Sequence, residues 1–295
     1  MNLKNTPGNP PGFGGVWRFC AEKFSGGVRL ILNELEYSSY LMILLHNEWS
    51  LPIMNYFCKE RKERKTEHAP FNKHKKNMEI QLISQIRGVI WDWNGTLLND
   101  TLLAVESMNR MLTKRGLPEL SIGQYKKVFT FPVKDYYQII GFDFDKEPFE
   151  IPALEFIDQY NQMVWDCSLH ENAMEVLNYF KNCGIVQYIL SAMKQEMLDQ
   201  CLEYYSISHF FEQVSGLDDH YAHSKLDAGK VMLKNLDMEP GELLLIGDTI
   251  HDFEVASELG CSCILVSNGH QSYERLNSTG SPVIEDLAHL CLNHW

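Results

Sequence analysis

A set of apolar, strand-length runs constrains this chain more than any other feature, because three of them stop at a polar residue. Residues 86–91 lead into Asp92, residues 185–190 into Ser191, and residues 243–246 through Gly247 to Asp248; a fourth run spans 261–266. Continuous rather than alternating apolar character marks strands covered on both faces. Helical patterns separate the runs, at about 170–182, 194–204, 227–236 and 252–259. Strands alternating with helices of these lengths predict an α/β fold, a Rossmann-like parallel sheet core covered by helices on both faces. Ligands bind such sheets outside the carboxyl ends of the strands, so Asp92, Ser191 and Asp248 are expected to share one edge.

Between the first strand and the rest, residues 100–168 show no convincing strand. Apolar positions Leu102, Leu103, Val105, Met108, Met111 and Leu112 recur at three- and four-residue spacing until Gly116-Leu117-Pro118 ends the pattern. Further helices are expected at 122–128, 133–140 and 153–165. The block therefore reads as an all-helical subdomain inserted into the core, which is assigned residues 78–99 and 169–295.

Residues 1–77 open rich in Pro and Gly, carry a net charge of +5 and contain no Asp, whereas residues 78–295 carry −18. The first segment reads as a poorly ordered extension, with Met78 opening the folded unit. The acidic body argues against nucleic acid as a partner. The most apolar early stretch, residues 37–47, is flanked by Glu34, Glu36 and Glu48 and is far shorter than the ~20 residues a membrane span requires. The eight cysteines form no CxxC pair and no zinc-ligand spacing, as for thiols in a reducing cytoplasm. No membrane association and a cytoplasmic location are expected.

The chemistry concentrates in four short pieces. Asp92-Trp93-Asn94-Gly95-Thr96 puts a carboxylate at a strand end beside a glycine that permits a tight, phosphate-approaching turn. Asp248 and Asp252 lie four residues apart where a strand turns into a helix, a spacing that lets both address one hard cation; Asp252 also reads as a helix N-cap. Ser191 offers a hydroxyl and Lys225 an ammonium, the donors a transferring phosphoryl group needs. Lys230, inside the helix expected at about 227–236, is the alternative lysine.

In this order the four pieces resemble the haloacid dehalogenase superfamily, most closely its phosphoglycolate-phosphatase-like and β-phosphoglucomutase-like branch, over about residues 85–270. The resemblance implies that the helical block is a cap. It implies a phosphatase acting on a small phosphorylated metabolite, a phosphoglycolate-like monoester, through an aspartyl-phosphate, as a monomer or homodimer. Asp92 would be the nucleophile, Ser191 would bond the phosphoryl group, and Lys225 would neutralise both. Asp92, Asp248, Asp252 and the Asn94 carbonyl would hold Mg²⁺, and Gly95, Thr96 and Ala192 would line the phosphate site.

One position departs from that pattern. Where the family's phosphatases carry a second aspartate, two residues after the nucleophile, this chain has Asn94. An amide has no titratable proton, and losing general acid/base help typically costs ~10²–10⁴ in rate. Two alternatives follow: a catalytically weak, phosphate-binding regulatory protein, or a haloacid dehalogenase. Within the helical block, Lys127 and Lys134 are candidate contacts for a second anionic group on the substrate. Phe129 and Phe131 are expected to pack between block and core.

Overall fold

The computed structural model describes residues 20–24, 27–31, 86–217 and 224–290. The chain divides into two compact units, Met1–Pro70 and Phe71–Trp295. In the first, β1 (Cys20–Phe24) pairs antiparallel with β2 (Gly27–Ile31). The expectation of a poorly ordered extension over 1–77 otherwise falls outside the described residues. No helix among the described residues is long and apolar enough to cross a membrane.

The second unit is built on a six-stranded sheet. Its strands are β3 (Gly88–Trp91), β6 (Val186–Lys194), β7 (Gln213–Leu217), β8 (Leu243–Gly247), β9 (Ser262–Val266) and β10 (Val283–Ile284), in the order β10-β9-β8-β3-β6-β7 with every pairing parallel. β3 and β8 are fully buried, which explains their unbroken apolar character. Alternate residues of β3 enter opposite cores. Val89 and Trp91 pack with Ile246, Leu177 and Phe180, while Ile90 packs with Leu245, Val255 and Leu259. The helices on these faces are α5 (Ala173–Asn182) and α6 (Gln195–Tyr204), then α7 (Lys225–Asn235) and α8 (Ile250–Leu259). The buried Trp91 indole donates to Gln187 Oε1 at 3.0 Å, so the ring's one polar atom is satisfied inside the sheet.

From β3 the chain builds outward through β6 and β7, then returns to β3's other side with β8. The strand order therefore reverses between β3 and β8, where open parallel sheets form a crevice. The Asp92 amide bonds across it to Ile246 O at 2.9 Å. β7 and β10 were not anticipated. β7 is half-buried along its length and β10 has two residues, so neither shows the apolar run that reveals a central strand.

The helical block contains α1 (Thr101–Lys114), α2 (Ile122–Val128), α3 (Val133–Ile139) and α4 (Glu150–Met163). It has a core of its own, in which Met108, Met111, Leu112, Tyr125, Tyr136 and Tyr137 meet. A reciprocal capping box between Ser121 and Gln124 starts α2, an arrangement worth roughly 1 kcal/mol. Where the chain leaves and re-enters the sheet, β4 (Leu98–Asn99) and β5 (Ser168–Leu169) pair antiparallel. The short α9 (Tyr273–Asn277) follows the loop after β9.

Candidate active site

Asp92 leaves the end of β3, Asp248 follows β8, and Asp252 lies in the first turn of α8; all three are buried, and one carboxylate oxygen from each lies within 4.8 Å of the other two. The Lys225 ammonium, from the first turn of α7, donates to both Asp92 and Asp252. Thr96 Oγ1 bridges Asp92 Oδ2 at 3.1 Å and Asp248 Oδ1 at 3.3 Å. The spacing that suggested an N-cap role for Asp252 has a different resolution. Thr249 is the cap, and Asp252 is the third helical residue of the same capping box. One Asp252 oxygen serves that box through the Thr249 amide and hydroxyl, and the other meets Lys225.

Burial and charge set the ionisation of this cluster. Burial raises the Asp92 carboxyl to about 6, reinforced by the nearby Asp252 charge and opposed by Lys225. Asp248 is pushed well above the usual carboxylate range by burial and by its carboxylate neighbours, against the pull of His270. Asp252 is held low because Lys225 outweighs its burial, and Lys225 is itself raised by Asp252 and Asp92 in spite of burial.

The backbone closes tightly on these groups. A Cβ at Gly269 would sit 2.1 Å from Asp248 Oδ2, and one at Gly247 would sit 2.3 Å from Asp252 Cγ. Gly95 has φ +76°, and a Cβ there would meet Asp248 Oδ2 at 2.3 Å. Three buried carboxylates cradled by glycine with one ammonium are an oxygen-only donor set with excess negative charge, which fits a hard divalent cation.

The remaining sequence candidates fall in several places. Ser191 is fully buried beside the Asp92 strand, its Oγ accepting from the Met193 amide at 3.0 Å, while Ala192 is exposed. Gly95 is buried, but its amide donates to Asp100 Oδ1 at 2.8 Å and to Leu98 O at 2.9 Å, so that N–H is already committed within its own loop. Lys230 lies exposed on α7. Lys127 is exposed as well, and the exposed Lys134 ammonium lies 5.7 Å from the centroid of the Phe144 ring. The cation that the helical block sends to the strand-end edge is instead Lys126, whose ammonium donates to Asn268 O at 3.1 Å. Phe129 packs 5.4 Å from the His270 ring, and Phe131 stacks on His251 at 4.8 Å.

Asn94 is half-buried, and its side chain reaches groups that sequence reasoning missed. Its Nδ2 donates to Asp100 Oδ2 at 2.9 Å and to the hydroxyl of Tyr160, on α4, at 2.8 Å. Asp100 stands just before α1, where an aspartate would ordinarily cap the helix. Its carboxylate makes no cap bond and turns back to the loop after Asp92. There it also accepts from the Tyr160 hydroxyl and meets His270 Nε2 at 3.2 Å. His270 donates its backbone amide to Asp248, and its other ring nitrogen meets the Tyr125 hydroxyl at 2.9 Å. Burial would raise Asp100, but His270, Tyr160 and Asn94 hold it low; burial would lower His270, but Asp100 and the other carboxylates lift it to about 9. His270 lies in the loop after β9, four residues past the strand's last residue, so the strand-end rule that found Asp92 and Asp248 points to its loop but not to the residue itself. Asp100 and Tyr160 lie 60 positions apart and carry no such signal.

Residues 89–266 match the model of one family, the haloacid dehalogenase-like hydrolases. The chain belongs to that family. Among its relatives, the N-acetylmuramic acid 6-phosphate phosphatase of Pseudomonas putida is 24% identical over 212 residues, 68% of this chain and 92% of the relative. The phosphoglycolate phosphatase of Aliivibrio fischeri is 20% identical, covering 70% and 94%. A haloacid dehalogenase-like hydrolase structure from Bacteroides fragilis superposes with a TM-score of 0.61 at 19% identity, covering 70% of this chain and 99% of that one. The chain falls in the phosphoglycolate-phosphatase-like branch of the haloacid dehalogenase-like hydrolases.

Proposed function

We propose that this member of the family, a phosphoric monoester hydrolase, works with Mg²⁺ and passes the phosphoryl group of a small phosphorylated metabolite to Asp92 and then to water. The observation that carries this reading is the position of Asp92. It stands at the carboxyl end of the central strand, beside the reversal of strand order, and is held by Lys225 within a buried cluster of three carboxylates.

Asp92, Asp248 and Asp252, with the Asn94 carbonyl, would hold the cation. Bound there, Mg²⁺ supplies the positive charge that lets an anionic phosphate approach an anionic carboxylate. Lys225 fixes one Asp92 oxygen and Thr96 the other, which orients the carboxylate before substrate arrives. The Ser191 hydroxyl hydrogen would be donated to the phosphoryl oxygens. The helical block would act as the cap, since Tyr125 and Tyr160 bring it into hydrogen bonds with the strand-end loops.

Phosphate release from a panel of phosphometabolites, 2-phosphoglycolate and sugar phosphates among them, tests this reading with Mg²⁺ and with EDTA. Release that needs Mg²⁺ and disappears in Asp92→Asn supports it. Metal-dependent ligand binding without turnover would favour a phosphate-binding regulatory protein, and EDTA-insensitive halide release a dehalogenase.

A further inference from the structure

The cation that the helical block sends to the strand-end edge has no anionic partner there. Lys126, on α2, is half-buried, and its ammonium donates to the Asn268 carbonyl at 3.1 Å and the Ser267 carbonyl at 3.4 Å. An ammonium carries three hydrogens, so one remains. Among the described residues no carboxylate pairs with it, and Asp248 acts on it only through space. Two neutral carbonyls leave its charge uncompensated.

Two unmet polar atoms adjoin it. His170 follows β5 and is 7% exposed, and its amide is committed to Leu97 O at 2.9 Å. Asn268 Nδ2 donates to His170 Nδ1 at 3.2 Å, which puts the hydrogen of the neutral ring on Nε2. Nε2 has no hydrogen-bond partner, and neither has Asn268 Oδ1 at the other end of the same pair. The opposite amide orientation exchanges these roles and again leaves one donor and one acceptor. Buried polar atoms are seldom left unpaired, so two in one contact need a physical account. The Gly95 carbonyl acts on the His170 ring outside hydrogen-bond geometry, and Gly269, next to Asn268, packs against Asp248. The group therefore lies beside the loop that carries Asp92.

Together these residues offer two hydrogens, one of them on a full positive charge, and one acceptor. A carboxylate next to a hydroxyl satisfies all three. A second phosphate dianion would set anionic oxygen against the acceptor, and a neutral polyol would leave the ammonium uncompensated. We infer that Lys126, His170 and Asn268 form a subsite for the far end of the substrate, and that this substrate is the phosphate monoester of a hydroxy acid. The inference rests on the phosphatase reading above and narrows it. Lys126 comes from the helical block and the other two from the core, so the carboxylate is read where the two meet.

The test compares acids with alcohols that differ from them only in carrying CH2OH in place of the carboxylate. The pairs are 3-phosphoglycerate with glycerol 3-phosphate and 6-phosphogluconate with glucitol 6-phosphate, each measured as kcat/KM with Mg²⁺. At one chain length or both, the acid should be preferred by about 10-fold or more, the worth of a hydrogen bond to a charged group. Replacing the hydroxyl beside that carboxylate with hydrogen should cost a further factor of about 3 or more. Lys126→Met should shrink the acid preference to within about 3-fold, and Lys126→Arg, which keeps the charge, should retain most of it. Acid and alcohol within about 3-fold of each other at both lengths in the wild type, with release lost in Asp92→Asn, would overturn this inference and leave the phosphatase reading standing. So would a preference that survives Lys126→Met, or a Lys126→Met variant that slows acid and alcohol alike, since the ammonium would then only hold the helical block to the loop. A deoxy acid as good as the hydroxy acid would overturn the hydroxy-acid assignment. Release from none of these esters nor from any member of the metabolite panel, or release that survives Asp92→Asn, would bring down both readings. The wild-type comparison decides the matter even if the variants fail to fold.

Discussion

Replacing Lys225 with methionine removes the one ammonium that separates Asp92 from Asp252 while keeping a side chain of similar length. The lysine side chain is 4% exposed, and its two carboxylate partners are 8% and 2% exposed, so solvent does little to screen the loss. Breaking a buried ion pair by deleting one partner costs about 3–5 kcal/mol, because the other charge stays buried and uncompensated. For a folded unit of roughly 200 residues each kcal/mol moves the melting temperature by about 2–4 °C, so a drop of about 6–20 °C is expected. The effect should hold across neutral pH. Asp252 and Asp92 raise Lys225 above its ordinary 10.5, so its stabilisation is complete below that pH and fades only above it. Thermal melts in EDTA provide the assay, and Mg²⁺ should restore part of the loss by supplying charge to the same carboxylates. A variant melting within 2 °C of the parent in EDTA would refute the reasoning, since the carboxylates would then have neutralised without Lys225.

Gly95→Ala should abolish activity, because φ +76° disfavours a side chain and its Cβ would press on Asp248 at 2.3 Å; a variant with unchanged kcat and KM would contradict this. Tyr160→Phe takes one buried hydrogen-bond partner from Asp100 and one from Asn94 and should cost about 1–3 kcal/mol, read as a lower denaturation midpoint with an unchanged slope. Burial raises the Glu155 carboxyl, but hydrogen bonds from Lys114 and Arg115 outweigh that and hold it below 4.5. Its stabilisation is therefore present above pH 4.5 and lost as pH falls through the lowered value. Glu155→Gln should accordingly lower the melting temperature at pH 7 and change it little at pH 3; equal losses at both would show that packing, not charge, is at stake.

The central strands and the candidate site at their carboxyl edge were legible because burial on both faces leaves continuous apolar runs, and because a polar residue that ends such a run has few structural reasons to be there. Asp92 and Asp248 lie at such ends and Asp252 four residues beyond the second, whereas Lys225 follows the unanticipated β7 and was suggested by its chemistry and the family resemblance; the structure brings all four into one cluster. β7 escaped because an outer strand is only half-buried and loses the apolar signature. The Asn94 neighbourhood escaped for a different reason. Asp100 satisfies every local rule for a helix cap, and only tertiary contact with Tyr160 and His270 shows that its carboxylate faces the other way. Lys127 and Lys134 drew attention as cations among aromatics, yet helix phase turns both outward and brings their neighbour Lys126 to the strand-end loop.

The account turns on covalent chemistry at Asp92, and the most direct measurement is acid quenching during turnover followed by peptide mass spectrometry. A phosphoryl group on the peptide containing Asp92, present with Mg²⁺ and absent from Asp92→Asn, is the result expected. Turnover with no phosphorylated peptide, or with the group on another residue, would contradict it.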